Sequence, residues 1–216
     1  PHNHSADDHN TLAPHTADGS GIELGRSVGG VFDTSGATAA AWCPVSLVPY
    51  RNRTGVFPHI MDRAKPGAIG VLRNGKRFVN EANGYWDYVT ALNDATPEGE
   101  VAEAWQIGDA RTIARYPIGL AMPRPMPKFP HLRSGYLISA STLLELAEKC
   151  GIDGPQLVET VTEFNRNAKR GVDPEFSRGE TPFNRYGGDS EVGPNPTLAP
   201  IERGPFYAVR VVQGSF

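Results

Sequence analysis

Residues 74–85 of this 216-residue chain read Asn74-Gly75-Lys76-Arg77-Phe78-Val79-Asn80-Glu81-Ala82-Asn83-Gly84-Tyr85. Asn74-Gly75 is a strong signal for a two-residue hairpin turn, because both residue types tolerate positive φ angles. Apolar segments flank it at residues 68–72 and 77–79. The pattern predicts a β-hairpin, followed by a polar Asn80-Glu81 step and an aromatic cluster of Tyr85, Trp86 and Tyr88.

Composition narrows the class of protein. The chain has 24 glycines and 19 prolines, which is typical of a fold with many turns. Its net charge of −3 argues against electrostatic binding of nucleic acid. No apolar run approaches the ~18 residues of a membrane span, and no signal-peptide pattern occurs. Cys43 and Cys150 are far apart and are expected to be buried free thiols in a reducing, cytoplasmic compartment.

The two ends of the chain carry less information. The chain begins at Pro1 and ends in a strand-like run at residues 211–216, so we expect a piece of a longer protein. The first 17 residues are polar and hold four histidines, namely His2, His4, His9 and His15. Beside Asp7 and Asp8 these could bind a metal, but nothing indicates a rigid scaffold for them. A mobile lead-in without a metal site is the favoured interpretation.

Several elements can be placed in the second half. Thr142 and Glu145 form a capping box for a helix that Gly151 ends, and a second helix begins at Asp153 and ends by Gly171. The second helix has an apolar stripe of Leu157, Val158, Val161, Phe164 and Ala168. Prolines at 117, 123, 125, 127 and 130 favour an exposed extended loop over regular helix. That loop could be a lid, although a docked surface loop is favoured.

Five segments, in order, resemble the flavoprotein family that contains fumarate reductases, succinate dehydrogenases and 3-ketosteroid dehydrogenases. Residues 75–81 are similar to the family's G-[KR]-R-F-x-N-E run. Residues 18–30 resemble its T-G-D-G-I helix near the flavin, and residues 105–109 resemble its W-x-I-F-D strand. Residues 146–179 and 205–211 resemble its L-A-x-x-x-G-I-D…F-x-R-G segment and its P-F-Y-A-V-K-V strand.

The resemblance implies an α+β fold: the cap (substrate) domain of this flavoprotein type, with short flanking pieces of the FAD-binding domain. Residues 1–45 would be the tail end of the FAD-binding domain, 46–204 the cap, and 205–216 a strand that returns to the FAD-binding domain. FAD is implied as cofactor of the full-length protein. The chain itself has no G-x-G-x-x-G fingerprint for the pyrophosphate, so we expect the isolated piece not to hold FAD. Flavin contacts are implied at Asp18, Gly19, Ser20 and Gly21, where Ser20 replaces the family's usual Asp.

The resemblance also implies the chemistry. In fumarate-reductase relatives the fourth residue after the motif's Glu is an arginine that delivers a proton, and here that position holds Tyr85, as in ketosteroid dehydrogenases. Arginine is nearly always protonated and suits reduction, whereas a tyrosine can act as a base where its surroundings favour the ionised form. Tyr85 is thus implied to remove a proton beside a ketone while a hydride passes to the flavin. From the residues alone, the alternative is an aromatic core cluster.

The substrate is implied by a second difference from fumarate reductases. Their carboxylate-binding residues correspond roughly to residues 41–43 and to Ile60 and Met61 here, all of which lack the expected ligands. Apolar residues suit a bulky hydrophobic substrate, so Ile60, Met61 and Trp86 are predicted to line its site. His59 is interpreted as structural. Arg77 and Glu81 are expected to be structural: Arg77 can pair with a carboxylate, and Glu81 can fix the loop after the strand.

The sequence therefore predicts a piece of an FAD-dependent oxidoreductase that dehydrogenates a bulky, 3-ketosteroid-like ketone under a closing cap. Its partners would be a hydrophobic small molecule and an electron acceptor of unknown kind, without nucleic acid or a membrane span. Two alternatives stay open. One is a fumarate-reductase-like ene-reductase acting on a small unsaturated acid. The other is a noncatalytic protein-interaction domain that uses the proline-rich loop and the helix pair.

Overall fold

The computed structural model describes residues 10–14, 16–33, 35 and 40–216. The predicted lead-in falls mostly outside these residues, and so do all four of its histidines: His2, His4, His9 and His15. Within the described ranges, no group of side chains could hold a metal ion. In the same ranges, no helix is both long and apolar enough to cross a bilayer.

A seven-stranded sheet is built around the last strand of the chain. Its strands are β1 (Asn10–Thr11), β2 (Trp42–Pro49), β3 (Thr54–Pro58), β4 (Ala68–Val71), β5 (Glu103–Gly108), β6 (Ile138–Ala140) and β7 (Phe206–Ser215). The main order is β3-β2-β7-β5-β4. β5 and β2 pair antiparallel with β7, while β6 joins the start of β7 antiparallel and β1 joins its end in parallel. An antiparallel-dominated sheet with separate helices is an α+β fold, as predicted.

Helices pack on both faces of this sheet. The helices are α1 (Ser20–Ser27), α2 (Tyr85–Asp94), α3 (Ala110–Arg115), α4 (Phe129–Arg133), α5 (Leu143–Cys150), α6 (Gly154–Ala168) and α7 (Pro182–Gly187), with a 3₁₀ turn at Asp62–Ala64. α5 and α6 bury their apolar stripes, including Leu146, Leu157 and Phe164, against Ile107 and Ala208 of the sheet. Side chains alternate along a strand, so Val211 faces the opposite side, where α2 packs.

The capping signals for α5 and α6 are confirmed. The Oγ1 atom of Thr142 accepts a hydrogen bond from Glu145 N at 3.1 Å, and Gly151 adopts the left-handed conformation with φ 69°. The carboxylate of Asp153 accepts from Gln156 N at 3.0 Å at the start of α6. Both cysteines, Cys43 and Cys150, are buried and free as predicted, and burial raises their thiol pKa values to about 11 and about 12.

The predicted turn is present, but its geometry differs. Gly75 N donates to Leu72 O, and Leu72 N donates to Lys76 O, each at 3.0 Å. Gly75 has φ 75°, whereas Asn74 does not have a positive φ. This is a type I turn followed by a left-handed glycine, not the predicted two-residue turn. The second arm shrinks to a single bridge between Val71 and Arg77, because the following polar side chains turn into buried contacts.

Other departures concern segments without a local signal. β2 and β3 form in the apolar stretch whose sequence shows no periodicity. Where the sequence predicts a mobile lead-in, Asn10 and Thr11 instead pair with the end of β7. The proline-rich segment contains the short helix α4, because Pro130 lies in its first turn, where a missing N–H is tolerated. β2 crosses the predicted boundary at residue 45, and the division into cap and FAD-binding parts stays a prediction.

We predict that Gly75→Ala destabilises the chain more than Gly99→Ala. Both glycines have positive φ, so each alanine costs on the order of 1 kcal/mol in backbone strain. An added Cβ at Gly75 would also lie 2.7 Å from Leu157 N and 2.8 Å from Asp153 O, whereas Gly99 has nothing within 4 Å. The close contact should add about 1–3 kcal/mol. Urea unfolding measures both, and equal costs would show that the turn does not press on α6.

Candidate active site

A buried cluster of four charged side chains lies under the turn that precedes α2. Arg77 donates to both oxygens of Glu81, at 2.9 and 2.8 Å, and to both oxygens of Asp173, at 2.8 Å each. Arg178 donates to Glu81 Oε2 at 3.0 Å, and Gly70 N donates to Glu81 Oε1 at 3.0 Å. All four side chains are buried. The structural roles predicted for Arg77 and Glu81 agree with this arrangement, in which the carboxylate partners of Arg77 are Glu81 itself and Asp173.

The charges in this cluster compensate one another. Burial alone would raise the pKa of Glu81, but Arg77 and Arg178 outweigh it and hold that pKa at about 2. Burial opposes the charge of Arg77 as well, and its carboxylate partners still raise its pKa above the ordinary value. The Phe164 and Phe176 rings lie 5.3 and 4.8 Å from the Arg77 guanidinium and complete its surroundings. Two cations and two anions thus share one buried site.

The cluster is followed by a loop at residues 80–84, and side chains from other parts of the chain bind the backbone of this loop. Its carbonyls at positions 81, 82 and 83 accept hydrogen bonds from Arg63 Nη1 at 2.9 Å, Asn184 Nδ2 at 3.1 Å and Arg63 Nη2 at 3.3 Å. The Asn80 side chain donates to Asn184 Oδ1 at 2.9 Å. The loop is therefore fixed where it delivers the chain to α2.

Tyr85 is the first residue of α2, directly after this loop. The cap of the helix is Gly84, whose N–H donates to Asp87 Oδ2 at 3.1 Å. The Tyr85 side chain is 40% exposed, and its ring meets the Phe216 ring edge-on with centroids 5.2 Å apart. Trp86 is exposed to the same extent. Both site residues that the sequence places here are therefore accessible to a ligand.

Tyr88 has a different role from Tyr85. It is buried against Val79 and Val211, with the Arg63 guanidinium 5.0 Å from its ring centre, and burial raises its pKa. The alternative of an aromatic core cluster therefore holds for Tyr88 alone. Tyr85 and Trp86 lie outside the core.

Ile60 and Met61 form a second exposed surface, connected to the first through Arg63. We call these two residues the apolar wall. Arg63 Nε donates to His59 O at 2.7 Å, and its Nη2 donates to Ile60 O at 3.4 Å as well as to Asn83 O. One buried guanidinium therefore holds the wall and the loop before Tyr85 in fixed relation. Arg63 thus links the backbone of Ile60 to that of Asn83, two residues before Tyr85, and the four predicted residues Ile60, Met61, Tyr85 and Trp86 are all exposed.

His59, directly before the apolar wall in the chain, is buried and hydrogen-bonded. Its Nδ1 atom lies 2.7 Å from Asp62 Oδ2 and 2.8 Å from Gln106 Oε1. Both partners are acceptors, so this nitrogen carries the proton. Asp62 also accepts from Gly119 N at 3.1 Å; burial opposes its charge, but His59 and Arg63 outweigh burial and lower its pKa. The interpretation of His59 as a structural residue agrees with this arrangement.

The four residues predicted at the flavin lie at the start of α1. Asp18 Oδ1 accepts from Ser20 N at 3.0 Å, and these contacts with Ser20 lower the pKa of the Asp18 carboxyl. Gly19 is left-handed with φ 81°, and Gly21 N has no acceptor among the described residues. α1 buries none of its side chains. In the described part of the chain, no hydrogen bond or ring contact connects this segment with Tyr85.

Sequence reasoning missed several residues that build the site. Arg63, Asn184 and Phe216 carry no motif, because their partners lie far away in the chain. Arg178 falls in the F-x-R-G segment of the resemblance, which was a signal for it, although its pairing with Glu81 was not predicted.

The chain belongs to a family of proteins that bind FAD. It matches the model of the FAD binding domain family over residues 1–216. A 4-oxocyclohex-2-ene-1-carboxylate 5-dehydrogenase from Sinomonas cyclohexanicum is 39% identical over 216 residues, which are 99% of this chain and 36% of the relative. A 3-oxosteroid 1-dehydrogenase from Mycolicibacterium smegmatis is 39% identical over 160 residues, which are 72% of this chain and 28% of the relative.

A solved structure gives the same result. The 3-ketosteroid delta1-dehydrogenase from Sterolibacterium denitrificans, in complex with 1,4-androstadiene-3,17-dione, matches with a TM-score of 0.83 and 32% identity. The match covers 95% of this chain and 37% of that one. The chain thus spans between 28% and 37% of the length of these relatives.

The residues present fit one edge of a bound FAD. At the exposed start of α1, the N–H of Gly21 has no acceptor among the residues that the structure describes, so it can face a polar cofactor atom. Its apolar residues Ile22, Leu24 and Val28 are exposed and can pack against the cofactor or the remainder of its domain. Asp18 Oδ1 accepts from the N–H of Ser20, the first residue of α1.

We predict that Glu81→Gln lowers the free energy of unfolding by about 3–5 kcal/mol at neutral pH, because two buried arginines lose their shared counter-ion. The carboxyl pKa is about 2 in the folded chain and ~4.3 when unfolded, so its stabilisation is complete above the unfolded value and is lost as pH falls toward 2. The stability gap between wild type and variant should therefore shrink between about pH 5 and pH 2.

The matched control is Glu163→Gln. Glu163 forms an ion pair with Arg166 at 3.0 Å on the exposed face of α6, so its loss should cost less than about 1 kcal/mol at any pH. Urea unfolding across the pH range tests both variants. A Glu81→Gln cost as small as that of the control would contradict the role assigned to the cluster.

Proposed function

We propose that this chain is mainly the cap domain of an FAD-dependent dehydrogenase that oxidises a CH–CH bond next to a ketone. The observation that carries the proposal is the position of Tyr85. It is exposed at the start of α2, directly after a loop whose backbone is fixed by Arg63 and Asn184, and Arg63 also binds the backbone of the apolar wall. A proton-transfer group needs this combination of access and fixed geometry.

The reaction divides between the cofactor and the chain. When bound, FAD supplies the acceptor for a hydride from the β-carbon of the ketone. Tyr85 Oη takes the proton from the α-carbon, which the carbonyl makes acidic, so a carbon–carbon double bond forms. Ile60, Met61 and Trp86 cover the apolar body of the substrate and exclude water from the site. The start of α1 would contribute to holding the cofactor, through the N–H of Gly21.

The wall favours a bulky apolar ketone, such as a 3-ketosteroid. Arg63 is the cation that contacts the wall, and its Nε, Nη1 and Nη2 atoms all donate to backbone carbonyls. It therefore has little capacity left for a substrate carboxylate, and burying an unpaired carboxylate costs several kcal/mol. A ring system gains ~25 cal/mol per Å² of apolar area covered. The relatives named 3-oxosteroid 1-dehydrogenase support this choice.

A second candidate substrate is a small cyclic ketone that carries a carboxylate. The relative named 4-oxocyclohex-2-ene-1-carboxylate 5-dehydrogenase matches 99% of the chain, against 72% for the 3-oxosteroid 1-dehydrogenase, at the same 39% identity. The proton transfer by Tyr85 would be the same for both substrates. The difference is that a carboxylate needs a cation that the apolar wall does not supply.

We predict that Tyr85→Phe in the full-length protein lowers turnover by ~10²-fold or more, because the phenol oxygen that takes the proton is lost. Flavin content should stay unchanged, since Tyr85 is exposed and its loop is held by other residues. Tyr186→Phe is the control, because Tyr186 is an exposed tyrosine on α7. Dye-reduction kinetics measure the effect. Turnover of Tyr85→Phe within a factor of about three of wild type would remove Tyr85 from the mechanism.

We predict a higher kcat/KM for 3-ketosteroids than for small acids. The assay compares dye reduction by a 3-ketosteroid and by 4-oxocyclohexanecarboxylate, and adds the reverse reaction with fumarate and a reduced dye. If the oxo-carboxylate has the highest kcat/KM, the second candidate replaces the first. Preference for fumarate over both ketones would show that the wall does not select a ketone and that the ene-reductase alternative is right.

A further inference from the structure

One segment has a charge balance unlike the rest of the chain. Between Asp109 and Glu145 there is no acidic residue, although the whole chain has a net charge of −3. The span contains five cations, namely Arg111, Arg115, Arg124, Lys128 and Arg133. The first two are paired with carboxylates elsewhere in the fold. Within the described residues, the last three have no carboxylate at ion-pairing distance.

The same three cations alternate with exposed apolar side chains. Phe129 is 67% exposed and Met126 is 55% exposed, and Met122 and Leu132 are exposed as well. We call residues 122–135 the basic loop. An exposed set of large apolar side chains within so short a segment is typical of a surface that binds a protein, a membrane or a ligand. Cations between them, with no acid nearby, select an anionic partner.

The basic loop is held on a buried stem. Ile118, Ala121 and Leu137 are buried in the core at its two ends. Leu120 N donates to Tyr136 Oη at 2.8 Å, and Leu137 N donates to His131 O at 3.0 Å. The short helix α4 forms the tip. The exposed apolar side chains are therefore displayed by a defined structure.

The positive charges of Lys128 and Arg124 lie close enough in this loop to repel each other. Partial burial lowers the pKa of Lys128, and the nearby Arg124 lowers it further. An anionic surface would relieve this repulsion, while apolar side chains beside the cations would enter the apolar layer beneath the headgroups. A bilayer supplies both layers at once, which a soluble acidic partner does not.

We propose that the basic loop docks the protein peripherally on an anionic membrane surface. Arg124, Lys128 and Arg133 contact the headgroups, and Met126 and Phe129 enter the boundary of the acyl chains. The stem connects this surface to the candidate site, since Gly119 N donates to Asp62 Oδ2 next to the apolar wall. Docking would thus place the apolar wall near lipid, and an apolar ketone could enter the candidate site from the lipid. The entry of the ketone rests on the proposed function, whereas docking itself does not.

The test is vesicle flotation of the full-length, flavin-loaded protein. Phosphatidylcholine vesicles with about 30% phosphatidylglycerol are compared with pure phosphatidylcholine vesicles at about 0.1 M NaCl. We expect the partition coefficient to be at least ~10-fold higher on the anionic vesicles, and to fall about 10-fold as NaCl rises to about 0.5 M. Equal partition onto both vesicle types, or no partition, would overturn the proposal.

Two variants and a matched control assign the effect to the loop. The triple variant R124Q/K128Q/R133Q and the double variant M126S/F129S should each lower the partition coefficient at least ~10-fold. The control K149Q/R166Q/R170Q removes the same charge from α5, α6 and the turn after them, and should bind like wild type. Flavin content and ketone turnover without vesicles should stay unchanged in all variants. Loop variants that float like the control would overturn the proposal, as would loop-dependent binding of an acidic protein without binding to vesicles.

Discussion

The double pairing of Glu81 with Arg77 and Arg178 is the interaction on which the rest of the structure depends. It joins the strand β4, through Gly70 N, to the segment after α6, through Asp173. Buried charges are tolerated only where every partner is present, so the chain must fold with these distant segments together. The cluster contributes little net stability, but removing any one of its charged side chains leaves an uncompensated charge in the interior.

The site follows from this constraint. Once Glu81 is fixed, the next residues can only continue along the path where Arg63 and Asn184 bind their carbonyls. α2 then starts at Tyr85 with its first side chains outside the core, while Tyr88 one turn later is inside it. Arg63 holds the apolar wall with the same guanidinium. Residues without any direct chemical role thus set the geometry of those that have one.

Local signals in the sequence predict the helices of the second half, because caps such as Thr142 and Asp153 act within one turn. The sequence correctly predicts a turn at Gly75, but the predicted turn type is wrong, because only the glycine and not Asn74 has a positive φ. β2 and β3 could not be predicted, because four consecutive residues of β2 are buried without alternation and β3 is a short strand at the edge of the sheet. Arg63 and Asn184 bind the loop at residues 81–83 across tens of residues, which no local pattern records. The role of Tyr85 comes from the family resemblance and stays a prediction, while the structure shows that its side chain is 40% exposed.

The central claim is that Tyr85 removes the α-proton of a ketone from this fixed position. The most direct measurement is the exchange of that proton with solvent: the full-length protein is incubated in D₂O with a saturated ketone substrate and no electron acceptor, and deuterium in the ketone is followed by mass spectrometry. The account predicts enzyme-dependent deuterium uptake at the α-carbon that falls at least ~100-fold in Tyr85→Phe and not in Tyr186→Phe. Undiminished uptake in Tyr85→Phe would contradict it.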